Sequence, residues 1–123
     1  MDNIEIINRL KTLGKIPNAD KLSNEMFAEY EELIGSFCVP LSFEEAEKLM
    51  TLFSDDCDDL NWGLLHLIEN VPYTDIERYR QLVSKCSNEE FKETFAIRFD
   101  NWLKKKINDI GTVLMSCFPF NLR

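Results

Sequence analysis

Apolar residues recur every three or four positions along nearly the whole chain, and nowhere do they alternate with polar ones over a useful length. That spacing marks one face of an α-helix, whereas a half-buried strand needs a period of two. No Asn-Gly or Asp-Gly pair offers a hairpin turn either. The sequence therefore predicts an all-α fold, either an antiparallel helical bundle or a short helical stack of six to seven helices.

The helices can be placed by their stops and caps. Ile4, Ile7, Leu10 and Leu13 lie a turn apart over residues 2–13, and Gly14 with Pro17 ends that helix. Leu22, Met26, Tyr30, Leu33 and Phe37 repeat the pattern over 22–37, before Pro40. Ser42 followed by Glu45 reads as a capping box, and the helix it starts points Ala46, Leu49, Met50 and Phe53 inward. Asp55–Asp59 is an acidic turn whose carboxylates suit the positive end of the next helix, 59–70. Leu64, Leu65, Leu67 and Ile68 make that helix apolar on most sides and hence central. Ile76, Tyr79, Leu82 and Val83 define a helix over 74–85. Ser87 with Glu90 suggests a second capping box, opening a helix over 88–107 that aligns Phe91, Phe95, Phe99, Trp102 and Ile107. A last apolar segment, Ile110 to Cys117, either continues it past Gly111 or forms a short helix of its own.

With 45% hydrophobic residues and nine Phe, a chain of this size buries roughly two thirds of the surface its unfolded form exposes. One domain spanning 1–123 is expected, needing no metal or disulfide to hold it. The four cysteines lie 19, 29 and 31 positions apart. In the absence of an export-type leader they read as reduced thiols. Cys38, Cys86 and Cys117 look like core fillers, and Cys57 sits among acids that disfavour its reactive thiolate. No stretch is apolar enough to span a membrane, and a cytoplasmic protein is expected.

Catalytic chemistry finds little support. The only histidine, His66, excludes sites that need two on one helix face, and the cysteines lack zinc-ligand spacing. His66 and Glu69 form a single three-residue pair where a di-iron bundle requires two. A calcium loop starting at Asp58 would place Gly63 and Glu69 correctly but put Leu60 and Trp62 at ligand positions, so the match fails. No Gly-rich phosphate cradle exists. His66 is expected to be partly buried and bonded to a carboxylate or a backbone group. No enzyme activity, cofactor or metal is expected.

Charge placement is more informative. The formal net charge is −8, against the Lys/Arg excess that gripping nucleic acid or an anionic membrane requires. Residues 20–59 hold twelve acids against Lys21 and Lys48, while the flanking segments are each nearly balanced. Clustered like charge costs stability through self-repulsion, so an acidic surface for a basic partner is the functional expectation, weighed against a plain solubilising face. Glu44, Glu45 and Glu47, the turn Asp55, Asp56, Asp58 and Asp59, and the neighbouring Trp62 as an aromatic anchor are the expected partner-binding residues.

Residues 53–70 read Phe-Ser-Asp-Asp-Cys-Asp-Asp-Leu-Asn-Trp-Gly-Leu-Leu-His-Leu-Ile-Glu-Asn. An acidic turn entering a helix with Gly-Leu-Leu-His-x-Ile-Glu resembles a family of bacterial immunity proteins of polymorphic toxin systems, the Imm30-like group. Ala96-Ile-Arg-Phe-Asp-Asn is similar to that family's ending on a long helix, although Phe99-Asp100 replaces its apolar pair. The resemblance covers about 55–103. It implies a small cytoplasmic protein that binds and neutralises a cognate toxin domain without catalysis. The toxin would be basic, with nucleases among the candidates. The competing expectation is an acidic helical regulatory or adaptor protein, including a nucleic-acid-mimicking inhibitor.

Overall fold

The computed structural model describes residues 1–71 and 75–114, with side chains described as far as Lys106. The described residues form six α-helices: α1 Asn3–Leu13, α2 Asn24–Gly35, α3 Phe43–Leu49, α4 Asp58–Ile68, α5 Ile76–Ser84 and α6 Glu89–Leu114. Short 3₁₀ turns at Ala19–Lys21 and Met50–Leu52 precede α2 and follow α3. No strand occurs among the described residues. The fold is all-α.

Polar side chains start most of these helices by satisfying amides that have no partner within the helix. Asp2 and Glu5 form a capping box on α1, Ser23 accepts from the Met26 amide on α2, and Asp75 accepts from the Arg78 amide on α5. The Ser42–Glu45 box on α3 is present in both directions, with bonds of 3.1 and 2.9 Å. On α6 the cap is one residue later than the sequence suggests. Asn88, not Ser87, accepts from the Phe91 amide at 3.0 Å. Ser87 is otherwise engaged: its amide donates to the Met50 carbonyl and its hydroxyl to that of Phe53. α1 closes at Gly14, whose φ of 85° suits a residue without Cβ, and the Tyr30 hydroxyl donates to the Gly14 carbonyl.

The helices pair as α1/α2, α3/α4 and α5/α6, and the pairs stack. α3 packs on both α1 and α5 in one layer, while α4 packs on both α2 and α6 in the other. This is the connectivity of helical-hairpin stacks, in which each unit buries its apolar face against its neighbours. Buried residues from all six helices make up the core. Gly63 on α4 faces α2, where a Cβ would lie 3.4 Å from Ile34 Cγ2, at ordinary van der Waals contact.

Several expected core positions hold: Ala46, Leu49, Met50, Phe53, Leu64, Leu65, Ile68, Phe95 and Phe99 are buried. Others move. α1 turns Ile6, Ile7 and Leu10 inward and leaves Ile4 at the flank, in solvent. Cys38 is exposed rather than a core filler, since after α2 it is the adjacent Phe37 that turns into the core, whereas Cys57 and Cys86 are buried. Burial raises the Cys86 thiol pKa above its ordinary value. α6 runs unbroken through Gly111 to Leu114. Cys117 and the rest of the last apolar segment lie outside the described residues.

Candidate functional site

The acidic turn is built on a knot of buried polar groups. Ser54 and Asn61 are fully buried, and Asn88 nearly so. Asn61 clamps Ser54 from both sides, its Oδ1 accepting from the Ser54 amide at 2.8 Å and its Nδ2 donating to the Ser54 carbonyl at 2.9 Å. Asn88 Nδ2 donates to the same carbonyl at 2.8 Å. The Ser54 hydroxyl donates to the Pro17 carbonyl at 2.9 Å and accepts from the Cys57 amide at 3.0 Å and the Asp56 amide at 3.3 Å. The knot is thus fully bonded, the condition under which buried polar groups fix a conformation rather than weaken it.

This scaffold presents Asp55–Asp59 to solvent in a defined order. Asp55 pairs with Lys15 at 2.8 Å. Asp56 Oδ1 accepts from the Ala19 amide at 2.8 Å, tying the turn to the 3₁₀ segment before α2. Asp58 and Asp59 occupy the exposed first turn of α4 and enter no ion pair among the described residues. There the helix dipole favours their charge, and no side chain caps α4 at Cys57.

The three glutamates have different neighbours. Glu44 meets Arg78 at 2.6 Å and Glu47 meets Lys85 at 2.9 Å, both bridging α3 to α5. The hydrogen bond from Arg78 holds the Glu44 carboxyl below the usual carboxylate range. Partial burial pushes Glu45 upward, but bonds from Ser42 and Asn3 outweigh it and leave that carboxyl lowered. Glu45 therefore serves the start of its own helix. The turn carboxylates engage residues 15–19 instead, and no hydrogen bond or ion pair joins the two acidic sets among the described residues.

Trp62 lies one turn beyond Asp58 and Asp59 and is 40% exposed. Its inner edge rests on Phe91, with ring centroids 5.3 Å apart at 72°, so the indole is fixed from below and open above. His66, expected to be partly buried, stands in solvent with its side chain 63% exposed and its Nδ1 3.9 Å from Glu69. Its ring lies 5.8 Å from that of Trp62. The reason is rotational: Leu64, Leu65, Leu67 and Ile68 take the inward sides of α4, leaving 62 and 66 on the outer stripe. Glu69 is held by Arg98 of α6 through bonds of 2.6 and 2.9 Å.

No family model, curated protein or solved structure matches the chain. Among the described residues no group of three or more His, Cys, Asp or Glu side chains is placed to hold a metal ion, and no helix is long and apolar enough to cross a membrane.

Sequence reasoning missed Ser54, Asn61 and Asn88. The one available signal was Asn61, a polar residue flanked by Leu60 and Leu64 on a helix that is otherwise apolar toward the core.

Proposed function

We propose that this chain is a cytoplasmic immunity protein that binds and neutralises a basic toxin domain, with Asp58, Asp59 and Trp62 at the centre of the contact surface. The observation that carries the reading is a pair of exposed carboxylates, without an ion pair among the described residues, beside an exposed indole, all on one helix whose entry turn is locked by a buried polar knot. Such a surface has its charge arranged before the partner arrives, which favours fast, salt-sensitive encounter. Its rigidity lowers the entropy that ordering an interface costs. Glu44, Glu47, Asp55 and Asp56 add to the field while serving internal contacts. The activity we propose is binding, and His66 stands in the open next to Trp62, its Nδ1 3.9 Å from Glu69.

The test is protection of cells expressing the toxin domain, alongside association kinetics at two ionic strengths. Asp58→Asn/Asp59→Asn should lower the association rate and flatten its salt dependence while leaving the fold intact. Full protection with unchanged salt dependence would show that the contact lies elsewhere. His66→Gln should protect like the parent chain.

A further inference from the structure

Beside the acidic turn lies a groove of about 330 Å³, lined by Ala19, Leu22, Phe27, Asp56, Asp58 and Asp59 among others. We infer that this groove receives a single long basic side chain, arginine or lysine, projecting from the partner. The inference rests on the binding role proposed above and deepens it by naming what the surface grips.

Four features point to that occupant. The volume is at the small end of the roughly 300–1,000 Å³ typical of ligand sites, so the groove suits one side chain rather than a helix. Leu22 and Phe27 are half-buried and apolar, a surface on which the methylene stem of a lysine or arginine packs while its head stays polar. Asp58 and Asp59 have no ion pair among the described residues, and they line the same groove, where charge-assisted bonds to an incoming cation are available. Finally, the walls are held in register: Asp56 bonds the Ala19 amide across the groove, and Ser54 fixes the Asp56 and Cys57 amides behind it. Lys15 is occupied by Asp55, and Lys21, close in sequence, is not among the lining residues. A larger groove of about 570 Å³ between α5 and α6 sets Arg80 and Lys92 among Glu89, Glu90, Glu93 and Asp100, so cations of its own already stand beside its carboxylates.

The test titrates the full ¹⁵N-labelled chain with Nα-acetyl-arginine methylamide, its lysine counterpart and the neutral isostere Nα-acetyl-citrulline methylamide. Saturable amide shifts confined to residues 19–27 and 56–60 are expected with arginine or lysine and not with citrulline. Asp58→Asn/Asp59→Asn should weaken the apparent affinity roughly tenfold, the effect of losing one charge-assisted bond. Phe27→Ala, which leaves the net charge unchanged, should weaken it as well, with the remaining amide spectrum superposing on that of the parent. Equal shifts with citrulline would overturn the inference. So would shifts spread as strongly over Glu25, Glu31, Glu32, Glu44 and Glu47, or no saturation at the groove. Arginine binding in the groove together with full protection by the two-Asn variant would leave the pocket standing and move the toxin contact to another surface. Lost protection without arginine binding would do the reverse.

Discussion

Replacing Asn61 by Ala tests whether the polar knot governs the placement of the acidic turn. Asn61 makes two bonds to the Ser54 backbone in a fully buried setting. Their loss costs about 1 kcal/mol each in net terms, and the Ser54 amide, left buried without an acceptor, adds about 1–3 kcal/mol. The Ser54 carbonyl keeps its bond from Asn88, so no further penalty arises there. The expected total is about 3–5 kcal/mol, a large share of the roughly 5–15 kcal/mol that stabilises a typical domain. Asn88 offers an internal control. Asn88→Ser can still cap α6 but loses the donor to Ser54, for about 1 kcal/mol, whereas Asn88→Ala also loses the cap, for about 1 kcal/mol more. Urea unfolding followed by far-UV circular dichroism reads all three. In the double variant Asn61→Ala/Asn88→Ser the Ser54 carbonyl loses both side-chain donors, so the cost should exceed the sum of the singles by at least about 0.5 kcal/mol. An Asn61→Ala cost below about 1 kcal/mol, or strict additivity, would refute the reasoning.

Phe95 is fully buried and meets Phe53 edge to face at 5.8 Å, so Phe95→Ala should cost about 3–5 kcal/mol by the same unfolding assay. Glu44 and Glu45 have folded pKa values below the ordinary 4.5, so the native state binds fewer protons than the unfolded chain; their stabilisation is present above that value and is lost as pH falls through the folded ones. Thermal unfolding at several pH values between neutral and acidic should show this decline, and Glu44→Gln should make it shallower. Thiol alkylation with peptide mapping should modify Cys38 rapidly in the native protein and leave Cys57 and Cys86 untouched until urea unfolds it.

What the sequence made legible was local. The Ser42–Glu45 box needs only four consecutive residues to be recognised, and it forms as read. The acids at the start of α4 and the apolar inward sides of α4 and α6 are equally short-range signals. The Ser87–Glu90 pattern looks just as good on paper, yet Ser87 is engaged by the Met50 and Phe53 carbonyls, contacts more than thirty positions away. Asn88 then takes the cap. The exposure of His66 escapes the sequence for a related reason. A helix with four apolar residues among Leu64–Ile68 appears apolar all round, and only the packing of α2 and α6 on it shows which stripe remains wet. The layered pairing of helices leaves no repeat in the sequence, because stacking asks each unit only for an apolar face, not for particular residues.

The position of the knot explains why the acidic turn can serve as a surface at all. Four exposed aspartates in five residues repel one another, and a turn on a loose loop would relax by moving them apart. Ser54 prevents this because its polar atoms reach all three helix pairs. It bonds Pro17 in the connection within the first, Asn61 on α4 of the second and Asn88 at the start of α6 in the third. The backbone adds two further ties at the same place, from the Ile16 amide to the Leu52 carbonyl and from the Ser87 amide to the Met50 carbonyl. Displacing the turn would therefore break contacts in every unit of the stack together. Stability gained in the buried knot offsets the repulsion at the surface, and the charge of Asp58 and Asp59 stays exposed and fixed at the start of α4.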